Sequence, residues 1–215
     1  MDNQEFITLA GPAAAELIEK KSRFIGYASP VADEAAAMDF LQEIRSRHRD
    51  ATHNCYAYQA GENDQFQRSS DDGEPSGTAG RPILEVIRGR GLKNTAVVVT
   101  RYFGGILLGT GGLVRAYSAA AKAALAAAGL VSCEKAVLYA LAVDYTNWQR
   151  LESFLQSSGC ELKNTSFSDR VDVQFAAPLV LAAGLPQRLA EILGKEPQIM
   201  VLDENAWLQK PVEEV

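Results

Sequence analysis

The chain has 215 residues, 47% of them hydrophobic and 22% charged, and carries a net charge of −6. These proportions belong to a folded protein of one large or two small domains; they exclude wholesale disorder, collagen-like repetition and a protein that coats nucleic acid by bulk positive charge. No apolar run approaches the about 18 residues of a membrane span, and the N-terminus lacks the basic-then-apolar layout of a secretory signal. The three cysteines, Cys55, Cys133 and Cys160, are far apart and odd in number. A disulfide framework is not expected, and the setting reads as reducing and cytoplasmic.

In chain order, Ser22–Ala28 reads as a strand and Asp33–Arg47 as a helix. Ala36, Phe40, Leu41 and Ile44 recur at helical spacing there, and Asp33 suits the N-cap. His53–Gln59 alternates and is rich in aromatics, the pattern of a strand. Residues 61–80 read as one long loop, a length usually tied to function. Pro82 opens a short helix to about Arg88, and Thr95–Thr100 is an apolar run of the kind found in a buried strand. Two glycine clusters follow, Gly104-Gly105 and Gly109-Thr110-Gly111-Gly112, and then an alanine-rich helix from Leu113 to Ala128 that Gly129 stops. This half, residues 1–131, reads as an α/β domain.

A second pattern begins near Cys133. Ala136–Asp144 is a strand, Thr146–Ser158 a helix, and Glu161–Phe167 and Val171–Ala176 are strands. Leu179–Leu193 is helical with a break at Pro186, and Gln198–Leu202 is the last strand. The order β-α-β-β-α-β is that of a ferredoxin-like unit, expected over residues 132–205. Residues 206–215 are expected as a loose tail, with Trp207 as its docking candidate. The fold class is thus α+β.

Charge is unevenly spread. Residues 1–131 hold 14 basic and 15 acidic side chains, against 7 and 12 in residues 132–215. Residues 81–115 carry six basic side chains, Arg81, Arg88, Arg90, Lys93, Arg101 and Arg115, against the single acid Glu85. Glycine clusters that precede helices expose backbone amides, which bind phosphate or carboxylate. Gly104, Gly105, Gly109, Gly111 and Gly112, together with Arg81, Arg101 and Arg115, are therefore the candidate anion- or RNA-binding residues. The bland alternative is that these glycines serve tight turns and close packing. The run has no P-loop lysine and no dinucleotide fingerprint.

Asp71, Asp72, Glu74 and His53 are the candidates for acid–base chemistry. The acids have two other readings: they cap backbone amides in a turn, or they pair with Arg81 or Arg101. His53 and Cys55 share a strand face, but two histidines and scattered cysteines supply too few ligands for zinc. No metal and no cofactor is expected. Tyr56, Tyr58, Tyr102, Phe103 and Tyr117 interleave with the arginines, which single-stranded RNA recognition would use and a sheet core would equally well absorb.

The motifs Ser70-Asp71-Asp72-Gly73-Glu74-Pro75, Gly77-Thr78-Ala79-Gly80 and Arg101-Tyr102-Phe103-Gly104-Gly105-Ile106-Leu107-Leu108-Gly109 resemble the IMPACT family. So do Gly111-Gly112-Leu113-Val114-Arg115-Ala116-Tyr117, Lys21-Ser22-Arg23-Phe24 and His53-Asn54-Cys55. The resemblance covers essentially the whole chain. It implies an N-terminal domain like the second domain of a small-subunit ribosomal protein. It also implies a C-terminal ferredoxin-like domain resembling domain V of elongation factor G. It further implies a regulator of translation whose partners are RNA, the ribosome or a translation factor. The eukaryotic relatives regulate translation under stress through an extra N-terminal domain that this sequence lacks. The resemblance brings no catalytic residues. A second reading is an enzyme or binder acting on a phosphorylated small molecule through the Asp71–Arg115 segment.

Overall fold

The computed structural model describes residues 5–61 and 64–212. Among the described residues two compact units emerge, one of residues 6–131 with 211–212 and one of residues 132–210 with residue 5. The fold class is α+β.

In the first unit, β2 (Ala13–Glu19), β3 (Ser22–Pro30), β4 (His53–Ala60), β5 (Phe66–Ser70) and β6 (Thr95–Tyr102) form a sheet of order β2-β3-β6-β4-β5. Every one of these pairings is antiparallel. The apolar run in β6 is buried because helices cover both faces of the sheet. On one face, Val97 and Val99 join the cluster formed by α2 (Gly80–Gly89) and α3 (Thr110–Ala128). On the other, Val98 packs with Leu41 and Ile44 of α1 (Glu34–Arg47).

Local signals explain the helix ends. Asp33 caps α1 by accepting a 2.8 Å hydrogen bond from the Ala36 amide. Gly129, at φ 66°, ends α3 in a conformation that costs a residue with a side chain. The alanines of α3 let it lie directly on the sheet. A Cβ on Gly26 of β3 would stand 2.5 Å from the Ala120 carbonyl oxygen, so glycine there and alanine on the helix are two halves of one close contact.

Three strands depart from the sequence expectation. β1 (Glu5–Leu9) and β2 carry no strand pattern that periodicity detects, and Ala13–Glu19 is built largely of good helix formers. Pairing of β2 with β3 across the Lys20–Lys21 turn overrides that propensity; both lysines have positive φ, as a two-residue hairpin requires. The segment expected as one long loop contains β5, a short polar edge strand paired with β4.

The second unit follows β7 (Leu130–Val143), α4 (Tyr145–Ser157), β8 (Glu161–Phe167), β9 (Val171–Pro178), α5 (Leu179–Ala182), α6 (Leu185–Leu193) and β10 (Met200–Pro211). Its strand order, β8-β9-β7-β10, is that of a ferredoxin-like sheet. Leu141, Val173 and Phe175 on one face bury Leu151 and Leu155 of α4 and Leu185 and Leu189 of α6. The expected loose tail is corrected. β10 continues to Pro211, and Leu208, 2% exposed, packs on Ala136 and Ala176. The sequence pattern stops at Leu202 because the second half of the strand, residues 203–211, is largely polar and exposed and shows only Leu208 as a buried apolar residue.

Candidate functional site

The expected acidic cluster divides into three separate roles. Asp71 accepts hydrogen bonds from the amides of Gly77 (2.8 Å), Ala79 (3.0 Å) and Gly80 (2.8 Å) and so closes the turn that starts α2. Burial raises its pKa, but these three amides outweigh that and hold the carboxyl below its ordinary range. Asp71→Ala is expected to cost about 1–2 kcal/mol, as for a lost helix cap, measurable by urea denaturation at neutral pH. The contribution is fully present above the ordinary aspartate range. It disappears as pH falls through the lowered folded value, so wild type and variant should converge in acid.

Asp72 organises the edge of the site. One oxygen accepts the Asn54 amide at 2.6 Å, and the other pairs with Arg45 at 3.1 Å. Its backbone carbonyl lies 2.8 Å from His53 Nδ1. A carbonyl only accepts, so Nδ1 carries a proton, and in the neutral ring Nε2 holds the lone pair. Nε2 lies 3.8 Å from Glu74 Oε1.

Glu74 sits beneath the surface, its side chain 3% exposed. Oε1 accepts from Arg101 Nη1 at 2.6 Å and from the Tyr117 hydroxyl at 2.7 Å. Arg101 also donates to Ser22 Oγ at 3.3 Å, and its guanidinium lies 5.4 Å from the Phe24 ring centre and 5.5 Å from that of Phe103. Arg101 thus corrects the expectation of a solvent-facing phosphate contact. β6 turns it inward, where Glu74 neutralises it. Tyr117 was recognisable in the sequence only as an aromatic; its position as a second donor to Glu74 depends on α3 crossing this end of the sheet. The tyrosine hydroxyl is strongly raised by burial and by the neighbouring Cys55 and Glu74, and it stays protonated to donate. Burial likewise pushes the Cys55 thiol to about 12, so Cys55 is a packing residue that donates to the Asp71 carbonyl rather than a nucleophile.

The remaining candidates separate by environment. Arg81 is exposed and pairs with Glu85 one turn along α2, a contact of little energetic weight. Arg115 is exposed on α3, and its Nη1 lies 3.7 Å from where a Cβ on Gly111 would stand. Gly104 serves backbone contact: a Cβ there would fall 2.0 Å from the Lys21 carbonyl carbon. Gly105 and Gly109 hold positive φ in the turn before α3. Gly109 is the α3 N-cap, and Gly111 and Gly112 lie in the first turn. The expected glycine cradle is therefore a structural turn at Gly104 and an open helix start at Gly109–Gly112, where no side chain caps the amides.

Between these parts lies a cavity of about 450 Å³. His53, Glu74 and Arg101 line one part of it, Gly109 and Thr110 another, and Phe103, Leu107, Leu108 and Leu113 supply apolar wall. Among the described residues, no group of three or more histidine, cysteine, aspartate or glutamate side chains could hold a metal. No described helix is long and apolar enough to cross a membrane.

Residues 20–125 match the model of the Impact N-terminal domain, and residues 141–194 match a domain of unknown function, DUF1949. The IMPACT family member YigZ of Escherichia coli is 35% identical over 94% of this chain and 100% of its own length. The IMPACT family member YvyE of Bacillus subtilis is 44% identical over 79% of this chain and 78% of its own. Human Protein IMPACT matches more narrowly, at 34% identity over 43% of this chain and 30% of its own length. The crystal structure of a hypothetical protein, 34% identical, superposes with a TM-score of 0.62 over 94% of this chain and 99% of that one.

Proposed function

The chain belongs to the IMPACT family, and from that premise we propose that it acts on translation by binding RNA at the ribosome through its N-terminal unit. The observation that supports this most directly is the surface between Phe103 and Arg115. Phe103 is 47% exposed and stands over the Arg101 guanidinium, which offers a flat ring for base stacking. Leu107 projects at 82% exposure, the α3 amides are open, and Arg115 has no ion-pair partner among the described residues. Arg81, Arg88 and Arg90 add exposed charge on and just beyond α2. Rings, backbone amides and arginines together are the chemistry of single-stranded RNA recognition.

Co-sedimentation with ribosomes at low and high salt tests this reading, with wild type compared to Arg81→Ala/Arg115→Ala. Association should weaken steeply with salt, and the double variant should bind more weakly with a salt slope about one unit shallower per lost phosphate contact. Association indifferent to salt and to the substitutions would point to a translation factor instead, and no association would remove the reading. Arg101→Ala is not a clean probe, because it strands the buried Glu74 carboxylate.

A further inference from the structure

The cavity between His53 and the start of α3 shares the α3 amides with the proposed RNA-binding surface and adds His53 and Glu74, which that surface does not use. Glu74 reaches it with a side chain only 3% exposed, and while Oε1 is held by Arg101 and Tyr117, Oε2 has no hydrogen-bond partner among the described residues. Beside it, Arg101 Nε is buried and without a partner. Buried polar atoms are almost always satisfied, so the unpartnered Arg101 Nε indicates a missing partner, while Glu74 Oε2 is not fully buried and stays open to the cavity. In the neutral ring His53 adds a second acceptor, because the Asp72 carbonyl keeps the proton on Nδ1 and leaves the Nε2 lone pair near Glu74. Two neighbouring acceptors call for hydroxyl groups.

The other end of the cavity has the opposite character. Gly109 and Thr110 line it, and the first-turn amides of α3 have no side-chain cap; outside the lining, the exposed Arg115 guanidinium folds back beside Gly111 in the same turn. Amides, helix dipole and guanidinium together favour an anion. The charge of Glu74 is matched by Arg101, so an anion nearby is not opposed by a bare carboxylate. Apolar side chains wall the remainder, and a volume of about 450 Å³ suits a small ligand.

We propose that this cavity binds a phosphomonoester carrying free hydroxyls, the chemistry of a sugar phosphate or a mononucleotide. The phosphate sits at the start of α3, and a hydroxyl donates to Glu74 and His53. The same group occurs at the 5′ end of an RNA, so both sources enter the test.

Calorimetric titration of the full chain with ribose 5-phosphate, ribose, inorganic phosphate and a 5′-phosphorylated oligoribonucleotide tests the proposal. Ribose 5-phosphate should bind at least about tenfold more tightly than either of its halves, a difference of 1.4 kcal/mol. His53→Ala removes an acceptor, and Thr110→Pro removes an amide at a helix position that tolerates proline. Each should weaken ribose 5-phosphate about tenfold and leave the thermal midpoint near wild type. Arg115→Ala, at an exposed position, should weaken phosphate in the same direction. If the phosphorylated RNA binds more tightly than ribose 5-phosphate but still loses affinity in His53→Ala, the RNA end is the source. Failure of wild type to bind ribose 5-phosphate or phosphate at millimolar concentration would overturn the proposal, as would unchanged affinity in the variants. Arg115→Ala should weaken both interactions, whereas His53→Ala should leave ribosome co-sedimentation intact, so His53→Ala separates failure of this proposal from failure of the RNA-binding reading.

Discussion

Glu74→Gln is expected to destabilise the N-terminal unit by about 3–5 kcal/mol, because it leaves a buried guanidinium without its counter-charge. Glu74 and Arg101 have side chains 3% and 6% exposed and meet at 2.6 Å, so water is a poor substitute for the lost partner. Arg101→Met should cost a comparable amount by stranding the carboxylate. The double variant should cost clearly less than the sum, since the second substitution removes the charge that the first left unpaired. Urea denaturation of the four proteins measures the coupling directly. Additive losses would mean that the two charges do not compensate each other in the folded protein. Tyr117 and Ser22 also contact this pair, so the coupling extends from α3 to β3 and ties the walls of the site to its floor.

The second large effect separates glycines that hold the fold from those that leave the site open. Gly104→Ala places a methyl group 2.0 Å from the Lys21 carbonyl carbon and 2.4 Å from the Ser22 nitrogen, both backbone atoms. The turn between β2 and β3 would have to move, at about 1–3 kcal/mol or more for such overpacking. The movement also disturbs Ser22 Oγ, which accepts from both Gly104 and Arg101. Gly111→Ala meets only the end of the Arg115 side chain at 3.7 Å and sits within a helix. It should be neutral or stabilising by up to about 1 kcal/mol. Thermal unfolding should therefore show a clear drop for Gly104→Ala and none for Gly111→Ala. A wild-type midpoint for Gly104→Ala would contradict the close approach of the two backbones.

These glycines show how far the motifs alone could lead. The sequence singles out Gly104, Gly105, Gly109, Gly111 and Gly112 as one cluster and offers both packing and anion binding as reasons for it. In the structure both reasons apply, at different members. Gly104 is pressed against another strand's backbone, while Gly111 and Gly112 stand in an uncapped helix turn. Spacing along the chain cannot separate these cases, because what a missing Cβ avoids is a segment some 80 residues away. The acids behave in the same way. That one of Asp71, Asp72 and Glu74 pairs with Arg81 or Arg101 is a reasonable expectation. That it is Glu74 with Arg101 depends on β6 placing Arg101 opposite Phe24 in β3 and beside His53 in β4.

Features with a local cause could be read from the sequence by itself. The N-cap at Asp33, the stop at Gly129, the break near Pro186 and the helical spacing of α1, α3 and α4 arise from residues within one or two turns of each other. The β-α-β-β-α-β order and the concentration of basic residues over 81–115 were equally open to reading. Tertiary structure decided what depends on distant partners. It made strands of Ala13–Glu19 and Phe66–Ser70 and carried the last strand past Leu202 to Pro211, segments whose edge positions leave too few inward apolar residues to set a period. It also made the first sheet antiparallel, and it turned Arg101 inward. A strand's neighbours and a side chain's counter-charge are supplied by segments far along the chain, and local periodicity holds no record of which segments those are.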